Sequence, residues 1–340
     1  MASQPTSQVT PQRIMQTVWS FIHPLALDAA IQNRVFDVLD SGPKTLDEVS
    51  RSTGASSRGL AAIMDLLVGL QYLARTPDGR YALTPESSAY LVSSKPGYHG
   101  GFVHHLISMA SDFLPLPEVV RTGKAPASHF GAADASQFFE ELVGNILPVA
   151  FPGARAVADS LGVARATEPL AVLDIGAGSG VWGIAFAQAS PQVRVTAVDL
   201  PGVLNATRKI AQQFGVADRF NYAGKDIFRD DLGGGFAIAT LGHIMHMAGP
   251  EQNRFLLKNI FRALEPGGTL VIGEFIVDEG RTGPVEPLAF AVNMLVHTDH
   301  GNSYTLGEMR SWLEDAGFVN IRTLAAPAPS PLILADKPAK

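Results

Sequence analysis

Residues 171–200, AVLDIGAGSGVWGIAFAQASPQVRVTAVDL, constrain the fold more than any other stretch of the chain. An apolar run ends on Asp174 and is followed at once by glycines at 176, 178 and 180. An apolar-periodic segment comes next, then a second apolar run ending on Asp199. The pattern predicts strand, turn, helix and strand. Glycine lets the backbone turn tightly and approach a ligand that a Cβ would hold off, and the helix start offers free N–H groups. In an open parallel sheet the ligand crevice lies off the carboxyl ends of the strands, where Asp174 and Asp199 would stand, the second placed to accept both ribose hydroxyls. A nucleoside-containing cofactor is therefore expected.

The glycines allow two frames. Gly178, Gly180 and Gly183 spell the dinucleotide fingerprint GxGxxG, whereas Gly176, Gly178 and Gly180 spell the tighter GxGxG of S-adenosylmethionine enzymes. In the dinucleotide frame the strand should run straight into the fingerprint. Here it stops two residues early, on an acid-glycine pair. A carboxylate beside the turn would repel a pyrophosphate but suits a cationic sulfonium and an ammonium. The second frame is preferred.

The 340 residues are enough for about two domains. A net charge of -6 argues against a partner held by phosphate contacts, and the absence of cysteine excludes disulfides and thiolate chemistry and fits a reducing compartment. No uncharged run reaches the 18 or so residues that a membrane helix needs. The opening MASQPTSQVTPQR lacks the apolar core of a signal peptide, so residues 1–12 are expected to be a disordered lead and the protein cytoplasmic.

Apolar spacing predicts two helices over Arg13–Leu39. Thr45-Leu46-Asp47-Glu48 is a capping box opening a third helix that ends at Gly54, and a fourth runs from Ser56 or Ser57 to Leu70. Two short strands flank Thr76-Pro77-Asp78-Gly79, a hairpin signal. This is the winged-helix order, over residues 13–95. The would-be recognition helix carries one basic residue, Arg58, and apolar groups on nearly every face, which fits packing or dimerisation better than groove reading. Residues 96–165 read as a helical connector whose phenylalanines, Phe139 and Phe151 among them, could wall a pocket for a flat substrate.

From residue 166 on, strands and helices alternate, which implies a parallel sheet covered on both faces. After a short strand, Gly224-Lys225-Asp226-Ile227-Phe228 places a carboxylate that could bond an adenine amino group, followed by two apolar residues to pack on the ring. The strand Thr269–Val277 and a helix Tyr304–Ala316 come later.

The series VLDIGAGSG, VDLPGVL, GKDIF, LGHIMHMAG, ALEPGGTLVIGE and YTLGEMRSWLEDAGF resembles the class I S-adenosylmethionine-dependent O-methyltransferases of the plant caffeate and bacterial antibiotic-tailoring type. The likeness covers nearly the whole chain. It implies an α/β fold: a Rossmann-like methyltransferase domain with a mostly parallel sheet, preceded by a mainly helical, winged-helix-like domain that forms a homodimer. It implies a small-molecule acceptor, S-adenosylmethionine as donor and S-adenosylhomocysteine as product, in secondary metabolism, with neither nucleic acid nor membrane as partner. Asp174, Gly176, Gly178 and Gly180 would serve the methionine end, Asp199 and Leu200 the ribose, and Asp226, Ile227 and Phe228 the adenine. His246 falls at the general-base position and Glu274 where a carboxylate orients that histidine. Met294 and His297, on a helix reaching His297, join Phe139 and Phe151 as expected substrate contacts.

Three positions depart from the family's plant members: Met247 stands for an aspartate, Gly242 for a lysine, and Ser303 for a second glutamate behind the base. Relatives that methylate carbon or nitrogen, or bind the cofactor without methylating, therefore remain alternatives. His243 with His246, and His297 with Asp299 and His300, carry donors that suit zinc or iron. No metal is expected.

Overall fold

The glycine turn lies at the carboxyl end of an interior strand of a seven-stranded sheet. The computed structural model describes residues 9–125 and 135–340, with the backbone alone over 135–143. Two compact units emerge, residues 1–110 and 111–340, so the stretch expected as one connector, 96–165, is divided between them.

The first unit contains α1 (Gln12–Trp19), α2 (Ile22–Gln32), α3 (Val35–Leu39), α4 (Leu46–Thr53) and α5 (Ser57–Gly69), a hairpin of β1 (Leu73–Arg75) and β2 (Tyr81–Leu83), then α6 (Pro85–Tyr90) and α7 (Gly100–Ser108). Local chemistry explains the boundaries. Thr45 and Glu48 form the expected capping box, Glu48 N–H donating to Thr45 Oγ1 at 3.3 Å and Thr45 N–H to Glu48 Oε2 at 2.7 Å. Ser56 caps α5. That helix buries Leu60, Met64 and Leu67 against Phe36, Leu39 and Tyr81. By contrast every residue of α1 is exposed among the described residues, and Ile14, Val18 and Trp19 are 66%, 55% and 61% exposed.

The second unit opens with α8 (Leu116–Thr122) and the long α9 (Ala135–Ser160). There follow β3 (Leu170–Ile175), α10 (Val181–Ala189), β4 (Val193–Asp199), α11 (Pro201–Gln213), β5 (Phe220–Gly224), β6 (Phe236–Gly242), α12 (Pro250–Ala263) and β7 (Leu264–Gly273). The chain ends through β8 (Ile276–Val277), α13 (Val285–His297), β9 (Tyr304–Thr305), α14 (Leu306–Ala316), β10 (Val319–Leu324) and β11 (Leu332–Asp336). The sheet order is β10-β11-β7-β6-β3-β4-β5. Only β11 runs against its neighbours, because the loop after β10 returns the chain as a hairpin and lays it beside β7.

Successive residues of the central strands bury opposite faces. Val172 packs with α9, α10 and α11, including Phe186 and Trp182; Leu173 packs with α12 and α14, including Leu257 and Trp312. Burial on both faces is what makes the strands read as continuous apolar runs, each large side chain contributing roughly 1.5–3 kcal/mol.

The region after β7 departs from the sequence reading. The strand expected over Thr269–Val277 breaks after Gly273, where Glu274 turns inward, and its remainder, β8, pairs in parallel with β9. The last helix starts two residues later than expected. Thr305 is its N-cap, in a second capping box with Glu308.

Candidate active site

The sheet order reverses between β3, which pairs with β4 on one side and β6 on the other. A crevice is expected off the carboxyl ends at such a switch. Gly176, Gly178 and Gly180 follow β3 with φ of 61°, 52° and 72°, a left-handed run that side chains resist. Gly183 lies inside α10, where a Cβ would meet Val195 of β4. Gly178 N–H donates to Asp199 Oδ2 at 2.9 Å, Leu200 N–H donates to Oδ1 at 2.7 Å, and the Thr207 hydroxyl donates to the Gly178 carbonyl at 2.7 Å. The turn, the end of β4 and α11 are thereby tied together. Burial raises the Asp199 pKa while the two N–H groups oppose it, so further donors such as a ribose diol would be welcome there.

Asp174 does not stand open to a cofactor as expected. It is fully buried, accepting from Gly183 N–H at 2.9 Å on Oδ2 and from the Thr240 hydroxyl at 2.8 Å on Oδ1, so it clamps the start of α10 to β6. Burial pushes its carboxyl up to about 7 against those two bonds. Asp226 sits at the turn after β5, its Oδ1 accepting from Phe228 N–H at 3.0 Å, its carboxylate 3.4 Å from Arg229 Nε. Ile227 is buried and Phe228 half-buried beside it.

His246 and Glu274 come together from the ends of β6 and β7. His246 Nδ1 lies 2.9 Å from Glu274 Oε2, and the His246 backbone N–H donates to Oε1 at 3.2 Å. With Nδ1 protonated toward the carboxylate, Nε2 keeps its lone pair. Burial pulls the Glu274 pKa upward, but the charge and hydrogen bonds of His246 outweigh it and the net displacement is downward. The loop carrying His246 is fixed by Asn253, whose Nδ2 donates to the Met245 and Ala248 carbonyls, by the Tyr304 hydroxyl on the Ala248 carbonyl, and by Asn302 N–H on the His246 carbonyl.

Two aromatic residues at this site were not anticipated. Phe275 and Phe290 stack at 4.0 Å between centroids, and the His246 ring meets Phe290 edge-on at 4.7 Å. Phe290, Met294 and His297 stand at i, i+4 and i+7 on α13, and that spacing was the available signal. Met294 and His297, expected as substrate contacts, are buried, His297 bonding the Asn293 carbonyl and the Asp112 carboxylate. Phe151, on α9, stacks instead on Phe214 at 6.0 Å, both partly buried against the core. Phe139 lies outside the described side chains.

The departures at 242 and 303 have local causes. Gly242 and Gly273 face each other across β6 and β7, and the Trp182 indole lies against both; a Cβ at Gly242 would collide with its ring nitrogen. The Ser303 hydroxyl donates to the Pro287 carbonyl at 2.7 Å, so Ser303 anchors the start of α13 and plays no part in holding His246. Nothing in the structure explains Met247. A third donor lies beside the base: one nitrogen each of His243 and His246 and one oxygen of Glu274 all lie within 4.8 Å of one another. Burial drives the His243 ring down to about 4.

Residues 159–319 match the O-methyltransferase domain family and residues 15–93 the O-methyltransferase dimerisation domain. The chain is 30% identical to the tetracenomycin polyketide synthesis 8-O-methyl transferase TcmO of Streptomyces glaucescens, over 96% of this chain and 97% of that one. It is 32% identical to the 3-hydroxy-5-methyl-1-naphthoate 3-O-methyltransferase of Streptomyces sahachiroi, over 89% and 88%. Among solved structures, PigF with SAH superposes with a TM-score of 0.78 at 26% identity, covering 97% of this chain and all of that one.

Proposed function

Since the chain belongs to the O-methyltransferase family and is an S-adenosylmethionine-dependent methyltransferase, we propose that it methylates a phenolic hydroxyl of a small aromatic or polyketide-like metabolite, with His246 as general base. The observation that carries this reading is the His246–Glu274 pair set beside the stacked Phe275 and Phe290 rings. A flat acceptor suits such rings, and a phenol, with a pKa of about 10, needs its proton removed as it reacts.

When bound, the cofactor supplies an electrophilic methyl group on a cationic sulfonium. Gly176, Gly178 and Gly180 would hold its methionine end, Asp199 its ribose, and Asp226 with Ile227 and Phe228 its adenine. Asp174 would act through the turn it clamps. His246 Nε2 takes the acceptor's proton. Glu274 keeps Nδ1 protonated and offsets the charge that the ring gains. Phe275 and Phe290 set the acceptor plane, and most remaining acceleration comes from alignment.

The same reading makes residues 13–95 a dimerisation domain, with the exposed apolar residues of α1 against a second copy, residues 166–340 the catalytic domain, and the stretch between them a contributor to the substrate pocket. None of the described helices is long and apolar enough to cross a membrane, and a chain without cysteine fits the cytoplasm. The test is incubation with methyl-labelled S-adenosylmethionine and a panel of phenols, naphthols and hydroxyquinones. We expect labelled methyl ethers on a subset of the panel; label on nitrogen or carbon, or none at all, would contradict the reading.

A further inference from the structure

The reaction proposed above uses His246 and Glu274 and leaves His243 without a task. Its backbone sits at φ 60°, in the left-handed region, although it carries a full side chain. The backbone N–H, donating to the Gly273 carbonyl at 2.7 Å, holds it there. The ring lies between Phe275 and His246, with centroids 5.2 Å and 6.3 Å away. Its Nδ1 is sealed from water and has no hydrogen-bond partner among the described residues. A buried polar atom left without a partner is destabilising, so this one calls for an explanation.

We propose that His243, His246 and Glu274 form a binding site for a first-row divalent cation, zinc above all, and that occupancy switches the enzyme off. Two imidazoles and one carboxylate are a donor set that zinc accepts, with a fourth position left open. Magnesium and calcium, which call for shells of oxygen, are poorly served by a single carboxylate. Bond lengths of roughly 2.0–2.2 Å place tetrahedral donors about 3.4 Å apart. The three donor atoms already lie within 4.8 Å of one another, so side-chain rotations of about an ångström would close the shell. The cation would also compensate the buried Glu274 carboxylate. Inhibition rests on the reading of His246 as base, because a metal-bound imidazole no longer has its lone pair for a proton. Cation binding does not rest on it.

The experiment uses the full chain, stripped with EDTA and titrated with Co²⁺, whose visible absorption reports imidazole and carboxylate ligation, and with Zn²⁺ by calorimetry. We expect one cation per chain, and zinc inhibition of methyl transfer that EDTA reverses. His243→Asn should weaken cation binding by about tenfold or more while tolerating the left-handed backbone. His243→Gln serves as a second variant should the first unfold. Absence of the cobalt band, or equal affinity in wild type and both variants, would overturn the site. The band is read with neither donor nor acceptor present, so it survives a wrong assignment of the base. Cation binding without inhibition would overturn the switch.

Discussion

A single carboxylate, Glu274, fixes both the ring and the backbone of His246: Oε2 lies 2.9 Å from Nδ1 and Oε1 accepts the backbone N–H at 3.2 Å. Glu274→Gln keeps the shape and removes the charge. We expect kcat to fall by about a hundredfold with donor affinity within a fewfold, measured by steady-state kinetics and calorimetry. An unchanged kcat would show that the histidine needs no anionic partner.

Asp174 gives the stability a dependence on pH. Burial raises its carboxyl from 3.8 to about 7, above its unfolded value. The fold then holds a proton that the unfolded chain has released, so stability falls as the pH rises from about 4 to about 7. His243, driven down to about 4, acts in the opposite sense, its contribution being lost as the pH falls below about 6.5. Urea unfolding of wild type and Asp174→Asn, both of which keep His243, isolates the first effect. The wild type should lose stability relative to the variant across that window, on the order of a few kcal/mol.

Gly242 and Trp182 are coupled by shape. Gly242→Ala should cost roughly 1–3 kcal/mol in denaturant unfolding, because the added methyl meets the indole. Trp182→Phe in the same chain should recover part of that loss. Additive costs would mean that the ring is not what excludes the methyl.

The apolar face of α1 is the expected contact between copies. Trp19→Glu should shift the protein toward the monomer in light scattering, since Trp19 is 61% exposed in the chain and its loss removes no core packing. A dimer of unchanged strength would place the interface elsewhere.

Much of this was legible because it is local. A glycine turn needs left-handed residues, a strand-end acid at 199 stands one strand away from that turn, and the capping box at Thr45–Glu48 is written in four consecutive residues. His246 and Glu274 were reached through family resemblance, and their 2.9 Å contact depends on β6 pairing with β7. What could not be read was tertiary. The partners of Asp174 are Gly183 and Thr240, the latter 66 residues away, so its burial as a clamp had no sequence signature. Phe275 and Phe290 meet only because the chain turns between Gly273 and α13. The Trp182 indole against Gly242 and Gly273 likewise exists only once α10 lies across two strand ends.

Turnover and cofactor affinity in His246→Ala, measured side by side, bear most directly on His246 as the base. We expect S-adenosylhomocysteine formation on a phenolic acceptor to drop by at least about a hundredfold, while calorimetry shows S-adenosylmethionine bound within a fewfold of wild type. Turnover that survives with the cofactor still bound would contradict the role of His246.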